Sequence, residues 1–301
     1  MEKPTILITG AQGQLGNEFR FLSFTHPHFR FIFTDVDGLD ITKSRQVMSF
    51  FEKNSIQFVV NCAAYTAVDK AETDVLLATK INVNGSRNLA KACQVHGATM
   101  IQISTDYVYH NHQNTPFKEG DKASPKGVYA KTKLRGDLAA LKFCERTLVI
   151  RTSWVYGIYG HNFVKTMLRL GKERPSINVV FDQIGTPTNA RDLAKAVLKI
   201  IQKIDNQEVS LEILMEHLDK RGKGVFHYSN EGVTSWYDFT KAIFEIREID
   251  CQVNPIESSQ YPTPAARPPF SVLNKQKIKD VFGIEIPHWR DSLKAVLKEL
   301  P

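Results

Sequence analysis

The fold is decided by the stretch Thr5-Ile6-Leu7-Ile8-Thr9-Gly10-Ala11-Gln12-Gly13-Gln14-Leu15-Gly16. Its first five residues are apolar or β-branched and predict a strand, and Leu15 and Phe19 then begin a helical spacing. The glycines between them suit a tight turn, a close approach of backbone to a pyrophosphate, and close helix–sheet packing. The helix N-terminus adds amide hydrogens and a partial positive charge. An ordinary βα turn is the alternative, but this context favours dinucleotide binding by Gly10, Gln12, Gly13, Gln14, Leu15 and Gly16.

Further βα units follow this stretch. Apolar strands at 29–34, 57–61, 98–103 and 147–152 alternate with helical patterns, notably at 42–53 and 76–95. Such repetition predicts an α/β protein with a doubly wound parallel sheet, the Rossmann fold, which binds ligands beyond the carboxyl ends of its strands. We therefore expect the residues after two of these strands to approach the dinucleotide: Cys62, Ala63, Ala64 and Tyr65, and Ser104.

Asp35 ends the second predicted strand, about where a ribose 2′-hydroxyl would lie and where a 2′-phosphate would be repelled. This favours NADH over NADPH, although Lys43 or Arg45 could still reach a phosphate and Asp35 could instead be an ordinary loop residue. Asp40 and Ile41 are predicted to form a short edge near the adenine.

Tyr129 and Lys133 are four residues apart in a helical pattern, so they project from the same face. A nearby ammonium stabilises a phenolate, and moving a tyrosine pKa ~3 units toward neutrality takes roughly 4 kcal/mol. A solvated helix face is the alternative for this spacing alone. Ser104-Thr105-Asp106-Tyr107, about two dozen residues earlier, supplies further polar groups.

Composition narrows the function classes. The chain has 301 residues, 42% of them hydrophobic, which fits one elaborated domain or two modest ones. Its net charge of +7 is interspersed along the chain, so a nucleic-acid groove is not indicated, although a small polyanion would be compatible. A solvated surface with a mild basic bias is the default interpretation of this charge. No apolar run approaches the ~18 residues of a membrane span, so we expect a cytoplasmic protein. The four scattered cysteines predict reduced thiols.

Several longer segments carry a family resemblance. Residues 61–72, Ser104 to Tyr109, Arg151 to Gly157 and Tyr261 to Pro268, with the glycine loop and Tyr-x-x-x-Lys, resemble the dTDP-4-dehydrorhamnose reductase family of extended short-chain dehydrogenase/reductases. The resemblance implies reduction of the 4-keto group of dTDP-4-dehydro-L-rhamnose by NAD(P)H. It implies that Tyr129 donates a proton and that Thr105 donates a hydrogen bond to the carbonyl oxygen. It also implies that Lys133 lowers the pKa of the Tyr129 phenol and binds the nicotinamide ribose.

After residue 152 the alternation loosens, which predicts a smaller α/β substrate-binding domain. We assign 1–152 to dinucleotide binding, with about 189–225 returning to it, and 153–188 and 226–301 to the substrate. The predicted substrate contacts are Thr105, Asp106, Tyr107, Trp154, Asn162 and Arg267. Trp154 suits a sugar ring, with a hydrophobic lid as the alternative, and Arg267 in a proline-rich loop suits a diphosphate. Asn162 and Ser235 are expected helix caps, and 209–218 is an expected amphipathic surface segment.

No metal site is predicted, because His110 and His112 lie in a polar loop typical of solvated surface. Some members of the resembled family join subunits through a metal held by three acids. Glu18 and Glu299 match two of these three acids, but Arg191 occupies the third position, and an arginine cannot be a metal ligand. We therefore expect a monomer or a metal-free homodimer. The alternative functions are another nucleotide-sugar reductase, epimerase or dehydratase, or a non-catalytic dinucleotide-binding regulatory subunit.

Overall fold

Six parallel strands form the centre of the molecule in the computed structural model, which describes residues 3–210 and 224–301. In chain order the strands are β1 (Thr5–Thr9), β2 (Arg30–Thr34), β3 (Phe58–Asn61), β4 (Thr99–Thr105), β5 (Thr147–Thr152), β6 (Val155–Tyr156), β7 (Ser176–Val180), β8 (Ile184–Gly185), β9 (Thr188–Asn189), β10 (Val225–His227), β11 (Thr234–Ser235) and β12 (Gln252–Ile256). The central sheet has the order β2-β1-β3-β4-β5-β10, and every neighbouring pair is parallel. The predicted parallel sheet is confirmed.

The strand order reverses at β1, because the chain runs outward to β2 and then returns to place β3 on the other side. Thr9 pairs with Thr34 on one side and with Asn61 on the other. The carboxyl ends of β1 and β3 therefore border the crevice in which open α/β sheets bind ligands.

Helices cover both faces of the central sheet. In chain order they are α1 (Gln14–Ser23), α2 (Ser44–Lys53), α3 (Val75–Thr79), α4 (Ser86–His96), α5 (Gly127–Phe143), α6 (Phe163–Glu173), α7 (Ala190–Asp205), α8 (Trp236–Arg247), α9 (Gln276–Phe282) and α10 (Trp289–Glu299). Ile6 and Ile8 of β1 pack against α1, α7 and α9, whereas Leu7 packs against α2 and α4. Because alternate residues of a strand face opposite sides, the sheet is doubly wound.

A second hydrophobic core is built from α6, α8 and α10 with the parallel pair β7 and β12. Phe239 and Leu293 are fully buried in it, and Trp289 packs edge-on to Phe239. This core is the smaller α/β part of the predicted fold, and most of its residues come from the C-terminal half of the chain.

The structure differs from the sequence-based expectations at three places. Strand β10 and helix α9 pack in the first core, although residues 226–301 were assigned to the second. Residues 76–95 form not one regular helix but α3, a π-helical turn at Lys80–Gly85, and α4. Asp40 and Ile41 are not in a strand, since the Asp40 carboxylate accepts hydrogen bonds from the backbone and hydroxyl of Thr42 in a turn. The amphipathic segment expected at 209–218 lies almost wholly outside the described residues.

No helix within 3–210 or 224–301 combines the length and the apolar character that crossing a membrane requires.

Candidate active site

A cavity of about 640 Å³ opens at the carboxyl ends of β1 and β3. Most of the residues predicted to bind a dinucleotide line it: Gly10, Gly13, Gln14, Leu15, Gly16, Asp35, Asp40, Ile41, Cys62, Ala63 and Ala64. Residues that sequence reasoning did not single out also line it, among them Thr66, Ile81, Ile103, Val155, Gly160, His161 and Leu193. The cavity thus joins the glycine loop to elements from much later in the chain.

The glycine loop requires glycine for two different reasons. Gly10 has a φ of +62°, and a Cβ there would lie 2.7 Å from the backbone nitrogen of Ala63. A Cβ on Gly16 would lie 2.5 Å from the Gly10 carbonyl oxygen. The first glycine therefore lets the loops after β1 and β3 meet, and the second lets α1 start against the strand, which is the backbone cradle a pyrophosphate fits.

Asp35 is held at the rim of this cavity by two backbone amides. Its carboxylate accepts hydrogen bonds from the nitrogens of Gln12, at 3.1 Å, and Val36, at 2.9 Å. A fixed carboxylate of this kind accepts a hydrogen bond from a ribose hydroxyl and repels a phosphate in the same place.

Tyr65 and Ser104 have partners within the protein. The Tyr65 phenol donates to Asp74 at 3.1 Å, and the side chain of Asn82 pairs with the Tyr65 backbone. The Ser104 hydroxyl donates to the buried Asp137 carboxylate at 2.6 Å. Their expected contacts with a dinucleotide remain predictions.

Tyr129, Lys133 and Thr105 converge where α5 crosses the end of β4. Tyr129 and Lys133 lie one turn apart on α5, and the Thr105 side chain lies within hydrogen-bonding reach of the Tyr129 phenol. The ammonium of Lys133 is buried and donates to the carbonyl oxygen of Ile103 at 2.7 Å. Tyr107 stands edge-on to the Tyr129 ring, 5.6 Å between centroids. The arrangement places a proton donor beside a hydroxyl next to the cavity wall that Ile103 helps to form.

Burial controls the ionisation of this group. It raises the pKa of Tyr129 above the ordinary tyrosine value, and the hydrogen bond with Thr105 only partly opposes the rise. The expectation that the Lys133 ammonium lowers this pKa stays a prediction. Burial also lowers the pKa of Lys133, against the opposing charge of Asp137. The phenol is consequently protonated at neutral pH, as a proton donor must be.

Asp106 follows Thr105 and is buried beside the same phenol. Burial raises the pKa of its carboxyl to about 7. One carboxylate oxygen accepts from the Thr105 hydroxyl at 3.2 Å, while Oδ2 makes no well-formed hydrogen bond with the described part of the chain, although Ser271 lies close by. A buried acceptor without a partner fits a ligand hydroxyl.

The Trp154 side chain is stacked face to face on Trp236, 3.5 Å between ring centroids and 9° between planes. Its backbone φ of +48° is unusual for a residue other than glycine. One face of the indole is therefore covered by protein. Asn162 is the cap predicted for α6, accepting from the Lys165 amide at 3.1 Å, and its amide nitrogen also donates to Gln14 in the glycine loop.

Arg267 reaches across to the loop after β3. Its guanidinium contacts both carboxylate oxygens of Asp69, at 2.6 and 2.7 Å. The hydrogen bond from Arg267 lowers the pKa of Asp69. The expected cation is thus fixed by a partner 198 residues away in the sequence.

The family model for the RmlD substrate binding domain matches residues 4–301. The chain belongs to this family. It is 38% identical over 297 residues to a dTDP-4-dehydrorhamnose reductase of Aggregatibacter actinomycetemcomitans, covering 97% of each chain. It also resembles two solved structures. One is a dTDP-4-dehydrorhamnose reductase from Clostridium acetobutylicum, with 41% identity, a TM-score of 0.89 and coverage of 98% of this chain and 99% of that one. The other, from Bacillus anthracis and in complex with NADP, has 34% identity, a TM-score of 0.89 and coverage of 99% and 100%.

Glu18, Arg191 and Glu299 form an ion-paired cluster. Arg191 donates to Glu18 at 2.8 Å and to Glu299 at 2.7 Å. Among residues 3–210 and 224–301 the structure contains no group of three or more His, Cys, Asp or Glu side chains suited to hold a metal ion.

Sequence reasoning missed two kinds of residue in this RmlD site. Asp137 follows Lys133 by another four residues on α5, so helical spacing could have revealed the line Tyr129, Lys133, Asp137. His161 lines the dinucleotide cavity only because the loop after β6 folds over the glycine loop, and no local pattern signals that contact.

Proposed function

We propose that this chain reduces the 4-keto group of dTDP-4-dehydro-L-rhamnose with NAD(P)H to give dTDP-L-rhamnose, the last step of dTDP-rhamnose biosynthesis. The observation that carries the proposal is the convergence of the Tyr129 phenol and the Thr105 hydroxyl at the end of β4. Lys133, one turn from Tyr129, donates to Ile103 of β4, which lines the cavity of the glycine loop. The RmlD match over nearly the whole chain supports this choice among nucleotide-sugar reactions. A regulatory subunit that only binds a dinucleotide would not need the proton donor.

A nicotinamide dinucleotide supplies the hydride in this proposal. The backbone cradle at Gly10, Gly13 and Gly16 fits its pyrophosphate, and Asp40 and Ile41 line the cavity beyond. We propose that Asp35 binds a ribose hydroxyl and gives a mild preference for NADH. Lys133 is proposed to bind the nicotinamide ribose.

Tyr129, Thr105 and Lys133 then stabilise the negative charge that develops on the ketone oxygen. Addition of hydride to a ketone carbon produces an alkoxide, which Tyr129 protonates from a phenol that burial keeps neutral. Thr105 would donate its one hydroxyl hydrogen to the same oxygen in place of the Asp106 carboxylate, and the charge of Lys133 would stabilise the phenolate left behind. Positioned acid catalysis of this kind is typically worth ~10²–10⁴ in rate.

The substrate is proposed to lie between the two cores. Asp106 and Tyr107 would contact the sugar. Asn162 and the exposed part of Trp154 would lie at the edge of the sugar site. Arg267 would bind the diphosphate. We propose the division given above, with residues 1–152 and about 189–225 holding the dinucleotide and most of 153–188 and 226–301 holding the substrate. A cytoplasmic monomer or metal-free homodimer remains our proposal, and the four free thiols suit a reducing compartment.

The test is a direct assay of the purified chain. It receives dTDP-4-dehydro-6-deoxyhexose and the epimerase that acts before it, and the oxidation of NADH and of NADPH is followed separately. We expect oxidation of both, faster with NADH. Nucleotide binding without oxidation of either cofactor would favour the regulatory-subunit alternative.

A further inference from the structure

The Asp69–Arg267 ion pair leaves one edge of the guanidinium unused. An arginine has five N–H donors. One Nη1–H donates to Asp69 at 2.6 Å, the other to the Ala265 carbonyl at 2.7 Å, and one Nη2–H donates to Asp69 at 2.7 Å. The Nε–H and the second Nη2–H have no acceptor within the described part of the chain, and they lie parallel on the same edge. Two parallel N–H groups are the fork that binds a phosphate oxygen pair.

This fork stands close to the proposed catalytic group. Arg267 lies near enough to Tyr107 for the charge of its guanidinium to oppose the rise that burial causes in the pKa of the Tyr107 phenol. The Tyr107 ring is in turn in edge contact with the Tyr129 ring. The guanidinium is therefore one side chain away from the phenol, a separation suited to a diphosphate attached to the reacting sugar. The Arg267 side chain is 19% exposed and that of Asp69 is 42% exposed, so the pair is partly open to solvent.

The Asp69 loop also holds the helix that carries Tyr129. Its Glu72 accepts a hydrogen bond from the Val128 amide in the first turn of α5, at 2.7 Å. Asp69 itself accepts from the Ala265 amide at 3.1 Å. One short loop thus fixes both the backbone around Arg267 and the start of the catalytic helix.

We propose that Asp69 is a positioning residue for the sugar nucleotide: it holds the Arg267 guanidinium by one edge so that the opposite edge binds the diphosphate. This inference rests on the proposed function. The Asp69 carboxylate would then promote the binding of an anion, although its own negative charge would by itself repel the diphosphate. The gain is preorganisation, because a rotamer-rich side chain is already fixed before the ligand arrives.

The experiment measures dTDP binding by calorimetry and sugar-nucleotide turnover for the full chain and its Asp69→Asn variant. We expect dTDP binding to weaken about 10-fold and KM to rise accordingly, with kcat and NADH affinity changed less than about 2-fold. Asp69→Glu should recover part of the loss. In an Arg267→Ala background, Asp69→Asn should cause no further loss, because its effect runs through the guanidinium. Asp69→Ser is the second variant if Asp69→Asn does not fold.

The matched control is Asp182→Asn. Asp182 ties Ser258 in the same C-terminal segment through hydrogen bonds of 2.7 to 3.0 Å but contacts no proposed site residue. Its dTDP affinity should equal that of the wild type. Unchanged or tighter dTDP binding by Asp69→Asn, losses that add in the double variant, or a wild type that does not bind dTDP would each overturn the inference. A wild type that binds dTDP in an Asp69-dependent way but reduces no keto sugar would instead overturn the proposed function alone.

Discussion

At the scale of single residues, the proposal depends on a phenol that stays protonated. Tyr129→Phe removes the proton donor and leaves the ring, so we expect kcat to fall by ~10²–10⁴ while NADH binds normally. Steady-state assays and a fluorescence titration with NADH measure the two effects. Tyr237→Phe, on α8 in the second core, is the matched control and should retain full activity. Near-wild-type turnover of Tyr129→Phe would rule out its role.

The ionisation of Asp106 should make substrate binding depend on pH. Because burial raises the pKa of this carboxyl to about 7, it is mostly neutral below that value and mostly ionised above it. The ionised form accepts a stronger hydrogen bond from a sugar hydroxyl. We therefore expect KM for the sugar nucleotide to rise as the pH falls below about 7, and this rise to be absent from Asp106→Asn. A KM profile that is identical in the two proteins would contradict the assignment.

The residues that sequence reasoning found are those with a local signal. Gly10 and Gly16 follow a strand at fixed offsets, and Tyr129 and Lys133 are one helical turn apart. The partnership of Arg267 with Asp69 joins residues 198 apart, so no spacing could indicate it. Burial, which raises the pKa of Tyr129, is a property of the folded chain, so the spacing of Tyr129 and Lys133 could not indicate it.

At the scale of elements, the position of α5 depends on the π-helical turn before α4. A Cβ on Gly136 of α5 would overlap the carbonyl oxygen of Asn82 in that turn. Asn82 also donates to the Thr132 hydroxyl at 3.0 Å, one turn from Gly136. The two helices are thus in direct backbone contact, and the face of α5 that bears Lys133 is fixed by this contact.

Gly136→Ala should therefore destabilise the fold and displace the catalytic helix. We expect a loss of roughly 1–3 kcal/mol, the usual cost of overpacking, with a fall in kcat. Chemical denaturation and the reductase assay measure the two. Gly38→Ala is the control, because its Cβ would be 3.8 Å from the nearest atom and its stability should change by less than about 0.5 kcal/mol. Equal stability of the two variants would show that α5 does not depend on this contact.

Helical and strand periodicity predicted most elements, since each repeats over several residues. The π-helical turn at Lys80–Gly85 was not predicted, because no local sequence pattern distinguishes a single wide turn from the α-helix on either side of it. The placement of β10 beside β5 was also missed by assigning it to the second core, as pairing of strands far apart in sequence has no local mark.

At the scale of the whole molecule, Arg191 connects three helices from distant parts of the chain. It lies on α7 and pairs with Glu18 of α1 and Glu299 of α10. The Glu18 side chain is only 2% exposed, so its carboxylate depends on this partner. The family resemblance placed Arg191 at a metal-ligand position, but no sequence pattern indicates that its guanidinium pairs with both acids, because that contact depends on the fold.

Arg191→Met should cost about 3 kcal/mol of unfolding free energy, since it leaves Glu18 buried without a partner. Burial already raises the pKa of Glu18 above its ordinary value of 4.5, and the variant loses the charge that opposes this rise. A carboxyl with a raised folded-state pKa stabilises the protein at low pH and loses that contribution as the pH climbs through the folded value. The loss of unfolding free energy should thus be largest at neutral and alkaline pH, shrink toward pH 4.5, and be relieved by adding Glu18→Gln.

Denaturant unfolding across this pH range measures the loss. Arg169→Met is the control, because its partner Glu173 is exposed and the pair should contribute under about 0.5 kcal/mol. A deficit independent of pH would mean that Glu18 is not the residue left uncompensated.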